Sequence, residues 1–285
     1  MGTEKRERQK ANRAARLEAE RAAEARARRN RTIRNVVIVG VILVVLMVLA
    51  GVLSGCGSSA SNVQLSPQGP ADRNGTQPST SGGKAGYGTA ACPPEGGTPK
   101  PKIDFAAAPK RCIDPAKTYT AKVETTEGTV TLKLDTKRTP ITTNNFVVLA
   151  RYGYFDGTDL FRTEAQTGII QGGSPHTQGN TDEGPGYTIP DEGVPFAAAD
   201  YGPGTLAMAN SGQPDSASAQ FFFLATDGAT YLADPAQPGG GSYAVFGTAT
   251  SGVDVLAKIA NLDDGSGQGT PSKQVTINKV TISAS

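Results

Sequence analysis

The sequence predicts a mainly β fold, a closed antiparallel barrel set behind an N-terminal extension of different chemistry. Short runs of alternating apolar and polar residues recur from residue 119 onward, glycine-rich loops separate them, and only two stretches of the body read as helices.

Residues 119–125 alternate, turn at Thr126-Glu127-Gly128 and return as 129–134. This predicts a hairpin with Tyr119, Ala121 and Val123 on the same face as Val130, Leu132 and Leu134. Pro140 opens a helix carrying Phe146, Val147, Leu149 and Ala150, proline being suited to a first turn. Further short strands are expected at 168–171, 205–209, 220–225 and 244–247, then a short helix at 252–260 and a closing strand at 275–282. In Phe221-Phe222-Phe223, strand alternation sends two rings to the core and one to the other face.

The extension is read from charge. The formal net charge of +2 averages a basic arm, residues 1–35 at +7, with a body at −5, so a basic nucleic-acid-binding domain is not expected. Residues 4–31 read as a solvated basic helix, in which Arg26, Arg28, Arg29, Arg31 and Arg34 suit anionic lipid headgroups. Residues 36–53 are unbroken apolar, and at a rise of about 1.5 Å each they would span roughly 27 Å, close to the hydrocarbon thickness. With the basic cluster on the N-terminal side, the body is expected outside the cytoplasmic membrane on a single-pass anchor. The alternative is a lipoprotein: Leu53-Ser54-Gly55-Cys56 resembles a lipobox, with Cys56 the candidate lipidation site. The expected divisions are a basic arm 1–35, a transmembrane helix or lipoprotein signal 36–55, a disordered linker 56–91, a lead-in 92–117 and a barrel domain 118–285.

One histidine and three cysteines exclude most zinc, haem and iron–sulfur sites, so no cofactor and no metal are expected. Cys92 and Cys112 bracket a proline-rich segment, and in an exported chain they read as a disulfide closing the lead-in. His176, the single histidine, lacks a Gly-x-Ser-x-Gly elbow and reads as an exposed loop residue; Asp263-Asp264-Gly265 reads as a turn.

Several words of this sequence, in order, resemble the cyclophilins, the cyclophilin-type peptidyl-prolyl cis–trans isomerases. They are Asn145-Phe146, Gly153-Tyr154-Phe155-Asp156-Gly157-Thr158, Phe161-Arg162, Gln171-Gly172-Gly173, the stretch 184–192 (GPGYTIPDE), Met208-Ala209-Asn210, Gln220-Phe221-Phe222 and Val245-Phe246-Gly247. The cysteine-bracketed lead-in behind a basic arm and one apolar span further resembles membrane-anchored cyclophilins of actinobacteria. The resemblance implies an eight-stranded barrel capped by two helices, with a proline-binding groove on its outer face.

It also implies roles. Arg162 would be the catalytic arginine, and Gln171 its orienting partner. Ala209 and Asn210 would hold the residue preceding proline, with Gln220 nearby. Ile169, Phe222 and Leu232 would line the proline slot, with Tyr243 opposite and Tyr231 at the rim. The activity implied is isomerisation of X–Pro bonds in exported polypeptides by a monomer; the alternative is a non-catalytic peptide-binding or chaperone module of the same fold. The sequence departs from the family at Gly168, where the slot's phenylalanine would fall, at Tyr243 and Tyr231 in place of a histidine and an indole, and in the segment 163–170, one residue longer than the common form. Weaker proline binding and poor cyclosporin sensitivity are the expected consequences.

Overall fold

The computed structural model describes residues 86–237, 240–267 and 269–285. The expected basic helix, the apolar span 36–53, Cys56 and the linker up to residue 85 lie outside the described residues. Among the described residues no helix is long and apolar enough to cross a membrane.

Among the described residues nine strands form one sheet. They are β1 Tyr119–Thr125, β2 Gly128–Leu134, β3 Thr158–Asp159, β4 Arg162–Glu164, β5 Ile169–Gly172, β6 Thr205–Met208, β7 Phe221–Leu224, β8 Val245–Ser251 and β9 Thr276–Ala284. Their order is β3-β9-β1-β2-β8-β6-β7-β5-β4. Helix α1 spans Pro140–Arg151 and α2 spans Val253–Ala260; short 3-10 turns lie at Ala198–Asp200 and Asp227–Ala233.

The β1–β2 hairpin has the expected register, Ala121 opposite Leu132 and Val123 opposite Val130, with these residues buried and the alternate ones facing out. The expected eight-stranded closed barrel is corrected to a nine-stranded sheet whose hydrogen-bonded order ends on β3 and β4, two elements separated only by Leu160 and Phe161. A change of partner divides this stretch. Leu160 N–H still donates to Val275 (2.8 Å), whereas Thr163 N–H donates to the carbonyl of Gly269 (2.8 Å) before β4 runs along β5.

The site-bearing strands differ from the hairpin in burial. Every residue of β5, β6 and β7 is buried, so both faces of this part of the sheet are covered. Phe221 and Phe223 join the main core, where Phe221 meets Phe146 and Phe155 at ring distances of 5.7 and 5.3 Å. Phe222 and Leu224 point the other way, into a second cluster with Ile169, Tyr201, Ala207 and Leu232. Two rings in the core and one on the opposite face is the outcome that strand alternation predicts.

α1 is buried along nearly its whole length and relies on side chains from elsewhere at its start. Thr139 makes no side-chain cap; instead the Glu192 carboxylate accepts from the backbone N–H of Ile141 (2.9 Å) and Thr142 (2.8 Å), filling the orphan donors of the first turn. Asn144 Oδ1 accepts from the N–H of Cys112 (2.7 Å) and Ile113 (3.1 Å). The lead-in is thereby tied to the helix, with Phe105 and Ile113 in the main core. Cys92 and Cys112 are joined as a disulfide, Cα atoms 5.4 Å apart. The last residues of the expected linker lie against this lead-in, Gly88 and Ala90 donating to the carbonyls of Pro109 and Ala108 at 3.0 Å each.

Candidate active site

Strand register assembles the site. Arg162 on β4 stands opposite Gln171 on β5, Gln171 opposite Phe222 on β7, and Phe222 opposite Ala207 on β6, so these four residues occupy one rung across four strands. Residues on one rung point to the same side of the sheet. That side is the one facing away from the main core.

A cavity of about 270 Å³ opens on this face, lined by Arg162, Ile169, Gln171, Asn180, Ala209, Asn210, Phe222, Tyr231, Leu232 and Tyr243. Its floor is apolar: Ile169, Phe222 and Leu232 are each at least 94% buried, and Tyr243 packs edge-on against Phe222 at 5.4 Å. The 3-10 turn Asp227–Ala233 supplies Leu232 to the floor and Tyr231, 39% exposed, to the rim. Tyr201 Oη donates to the carbonyl of Tyr243 (2.7 Å) and holds that wall; burial pushes the Tyr201 phenol up to about 12, so it remains a donor at neutral pH.

The polar side is a connected chain. Arg162 Nη1 donates to Gln171 Oε1 (3.0 Å), and Gln171 Nε2 donates to Gln220 Oε1 (2.8 Å) and Asn180 Oδ1 (3.2 Å). Gln171 is 95% buried, so its orientation is set by these partners. Ala209 N–H is committed to the carbonyl of Gln220 (2.9 Å), and Asn210 Nδ2 donates to the carbonyl of Ser242 (3.0 Å).

The fold thus brings the residues expected of the catalytic and peptide-binding site together; Gln220 alone does not line the cavity and is joined to it through Gln171. Two residues were not anticipated. Asn180 arrives from the 173–184 loop, for which the sequence carries no pairing signal. Glu164 contacts Arg162 through both Nε (2.9 Å) and Nη2. Its signal was the period of two: a strand over 162–164 places both side chains on one face, but that strand is three residues long and was not expected.

Gly168 explains the slot's missing phenylalanine. It sits at φ +72° in the turn between β4 and β5, and a Cβ there would lie 2.6 Å from both the nitrogen and Oγ1 of Thr226. Glycine is required by conformation and by space. The turn that accommodates the longer 163–170 segment is closed by Gly168 N–H donating to the carbonyl of Glu164 (2.8 Å).

His176 lies outside the cavity. Its Nδ1 is 3.0 Å from Asp182 Oδ1 and its Nε2 3.1 Å from Asp104 Oδ1. The hydrogen bond to Asp182 above all raises its pKa above the usual histidine value. Asp263 and Asp264 form the expected turn, accepting from the N–H of Gly265 (3.0 Å) and Ser266 (2.8 Å). Among the described residues, no group of three His, Cys, Asp or Glu side chains is placed to hold a metal ion. A larger hollow of about 590 Å³, lined in part by Lys117, Lys133, Lys137 and Arg138, has exposed lysines at its edge and an Arg138–Asp200 pair stacked on Phe196. It lacks converging donors over an apolar floor.

A sheet that buries its core on one face and carries a held guanidinium, oriented amides and an apolar slot on the other defines a class, that of β proteins with a groove on the outer face of the sheet. Within that class the chain belongs to the cyclophilin-type peptidyl-prolyl cis–trans isomerases: the family model "Cyclophilin type peptidyl-prolyl cis-trans isomerase/CLD" matches residues 120–282. A probable peptidyl-prolyl cis–trans isomerase B of Mycobacterium leprae is 34% identical over 149 residues, 45% of this chain and 48% of that protein. Its Mycobacterium tuberculosis namesake is 37% identical over 126 residues, 40% of each chain. The chain therefore spans less than half the length of these curated relatives. A crystal structure of a Cryptosporidium parvum cyclophilin-type isomerase superposes with a TM-score of 0.45 at 24% identity, covering 59% of this chain and 99% of that one.

Proposed function

We propose that this chain is a peptidyl-prolyl cis–trans isomerase acting on X–Pro bonds of exported polypeptides, held at the outer side of the cytoplasmic membrane. The observation that carries the activity is the Arg162–Gln171 pair fixed at 3.0 Å beside the Ile169, Phe222 and Leu232 floor.

Rotation about an X–Pro bond faces a barrier of about 18–20 kcal/mol, which comes from amide resonance. Twisting the bond abolishes that resonance and frees the imide nitrogen lone pair. A catalyst therefore needs a slot for the ring, anchors for the flanking backbone and a donor aimed at the twisted nitrogen; nothing is cut or covalently attacked. The apolar floor takes the ring. Arg162, always protonated and carrying a planar fork of donors, is the group directed at the nitrogen. Gln171 fixes that fork on one side; both of its Nε2 hydrogens are donated to Gln220 and Asn180, so it acts on the substrate through Arg162. Because its N–H is already committed, Ala209 contributes its carbonyl, with the Asn210 backbone beside it. Donors that meet the twisted state better than the planar one lower the barrier by differential binding.

The location rests on the apolar run 36–53, the basic cluster before it and the disulfide between Cys92 and Cys112, a bond favoured in oxidising compartments. The isomerase domain acts as a monomer and the N-terminal segment engages membrane lipids. Retention of the chain at the membrane in a Cys56→Ala variant supports the uncleaved helix; release supports the lipoprotein.

One observation favours a second reading, a peptide-binding module without useful turnover: Gly168 stands where the family's phenylalanine would fall, in a turn with no room for a side chain. A proline-isomerisation assay on the full-length chain, with Arg162→Ala alongside, separates the two. Equal rates at the uncatalysed value would sink the enzyme reading and leave peptide binding to be measured by itself.

A further inference from the structure

We infer that Glu164 is a positioning residue for the isomerisation, presetting the plane of the Arg162 guanidinium; this rests on the isomerase reading above. Both residues lie on β4, two apart, with side chains on the same face. Glu164 Oε1 accepts from Arg162 Nε (2.9 Å) and from Nη2.

The carboxylate is itself held. Its Oε2 accepts from Thr167 Oγ1 (2.8 Å), within the turn that Gly168 closes onto the Glu164 carbonyl. On the far side of the fork, Nη1 is bound by Gln171. The arginine stem is confined as well: a Cβ on Gly269 would lie 3.0 Å from Arg162 Cγ, and the Gly269 carbonyl accepts from Thr163 N–H (2.8 Å). The guanidinium is thus restrained at its stem and on two of its edges.

Arginine has five N–H donors. Glu164 takes the Nε donor and one on Nη2, and Gln171 takes one on Nη1, so each terminal nitrogen keeps one N–H for a substrate. A free arginine would have to be ordered at each turnover, at an entropic cost; here the ordering precedes binding. The carboxylate also has an opposing effect, since its charge weakens the positive field at the slot. Positioning wins on geometry: Glu164 binds the Nε edge and leaves a donor on both terminal nitrogens, and the twisted imide calls for a directed hydrogen bond more than for net charge.

The test uses the full-length chain and an X–Pro peptide. Glu164→Ala is expected to lower kcat about tenfold with KM changed less than about twofold, because a misplaced donor costs chemistry before it costs ground-state binding. Glu164→Gln, which keeps an acceptor of the same shape without the charge, is expected to restore most of that rate. In an Arg162→Lys background, which has no Nε edge to hold, Glu164→Ala should change kcat little. Thr167→Ala, which frees Oε2, should give a smaller fall in the same direction and serves if Glu164→Ala does not fold. An increase in kcat in both Glu164 variants would make the carboxylate a brake and overturn the inference, as would an equal loss in the Arg162→Lys background. The Arg162 Nε–H resonance in NMR gives a readout independent of turnover: protected from exchange in the wild type, lost in Glu164→Ala. A wild-type chain no faster than the uncatalysed reaction, with that resonance behaving as described, would sink the isomerase reading while leaving the Glu164 clamp in place.

Discussion

Arg162 and Gln171 face each other across the β4–β5 ladder, and their side chains join at 3.0 Å between Nη1 and Oε1. The hydrogen-bond chain continues from Gln171 to Gln220 and Asn180, so the orientation of one surface arginine depends on residues from three other segments of the chain.

This dependence makes Arg162 the first position to test. Its side chain is 39% exposed, so truncation should spare the fold. Arg162→Ala is expected to lower kcat/KM roughly 10²-fold, the scale of losing one preorganised donor, with the thermal midpoint unchanged. Coupled-assay kinetics and a thermal melt check both halves.

Gly168→Phe would restore the family's aromatic residue by name but not by geometry. At φ +72°, with Thr226 2.6 Å from the would-be Cβ, the substitution should destabilise by about 1–3 kcal/mol. Cyclosporin affinity should not improve. A variant melting at the wild-type midpoint would show that the turn yields more readily than its contacts imply.

The His176 clamp predicts a pH window. Protonated His176 bridges Asp182 and Asp104, linking the 173–184 loop to the lead-in. Its pKa is raised above the ordinary 6.5, chiefly by the hydrogen bond to Asp182, so its stabilisation is complete below 6.5 and lost as pH rises through the folded value. Burial pushes Asp182 up, but the hydrogen bonds from His176 and three backbone N–H groups outweigh it and leave the carboxyl below the usual 3.8. That contribution is present above 3.8 and is lost as pH falls through the folded value. The stability difference between wild type and His176→Gln should therefore be greatest between about pH 4 and 6.5 and shrink on either side. A difference that grows above pH 7 would contradict the clamp.

Glu192 caps α1 from 50 residues away. Glu192→Ala should cost about 1 kcal/mol, the usual scale for a lost N-terminal cap. Glu192→Gln, which keeps an acceptor but not the charge, should cost less. Denaturant midpoints separate the two variants.

Replacing Cys92 and Cys112 together by serine opens a loop of 20 residues and should remove about 3 kcal/mol on the loop-entropy estimate. The loss should be seen first as exposure of the lead-in to protease, since Asn144 and the burial of Phe105 and Ile113 still hold it in part.

The hairpin, both α-helices and the sense of Phe222 were legible in the sequence because local periodicity encodes them: alternate residues of β1 and β2 are buried and exposed in turn, and Pro140 marks a helix start. β3 and β4 were not legible. At two and three residues they are too short to repeat an alternation, and only their partners define them. The arrangement of β5, β6 and β7 was partly hidden for the opposite reason, burial on both faces, which removes alternation.

The sequence by itself determined the split between a basic extension and an acidic body, the mainly β character of that body, and through its ordered words which residues are candidates for the site. Only the tertiary structure decided how those residues act on one another. It placed Arg162, Gln171 and Phe222 on one rung, set Gly168 in a turn with no room for a side chain, and laid Glu164 along the Nε edge of Arg162. The reason is physical: residue types and local periods are properties of neighbours in the chain, whereas register, close approach and the direction of a hydrogen bond are properties of segments that meet only after folding.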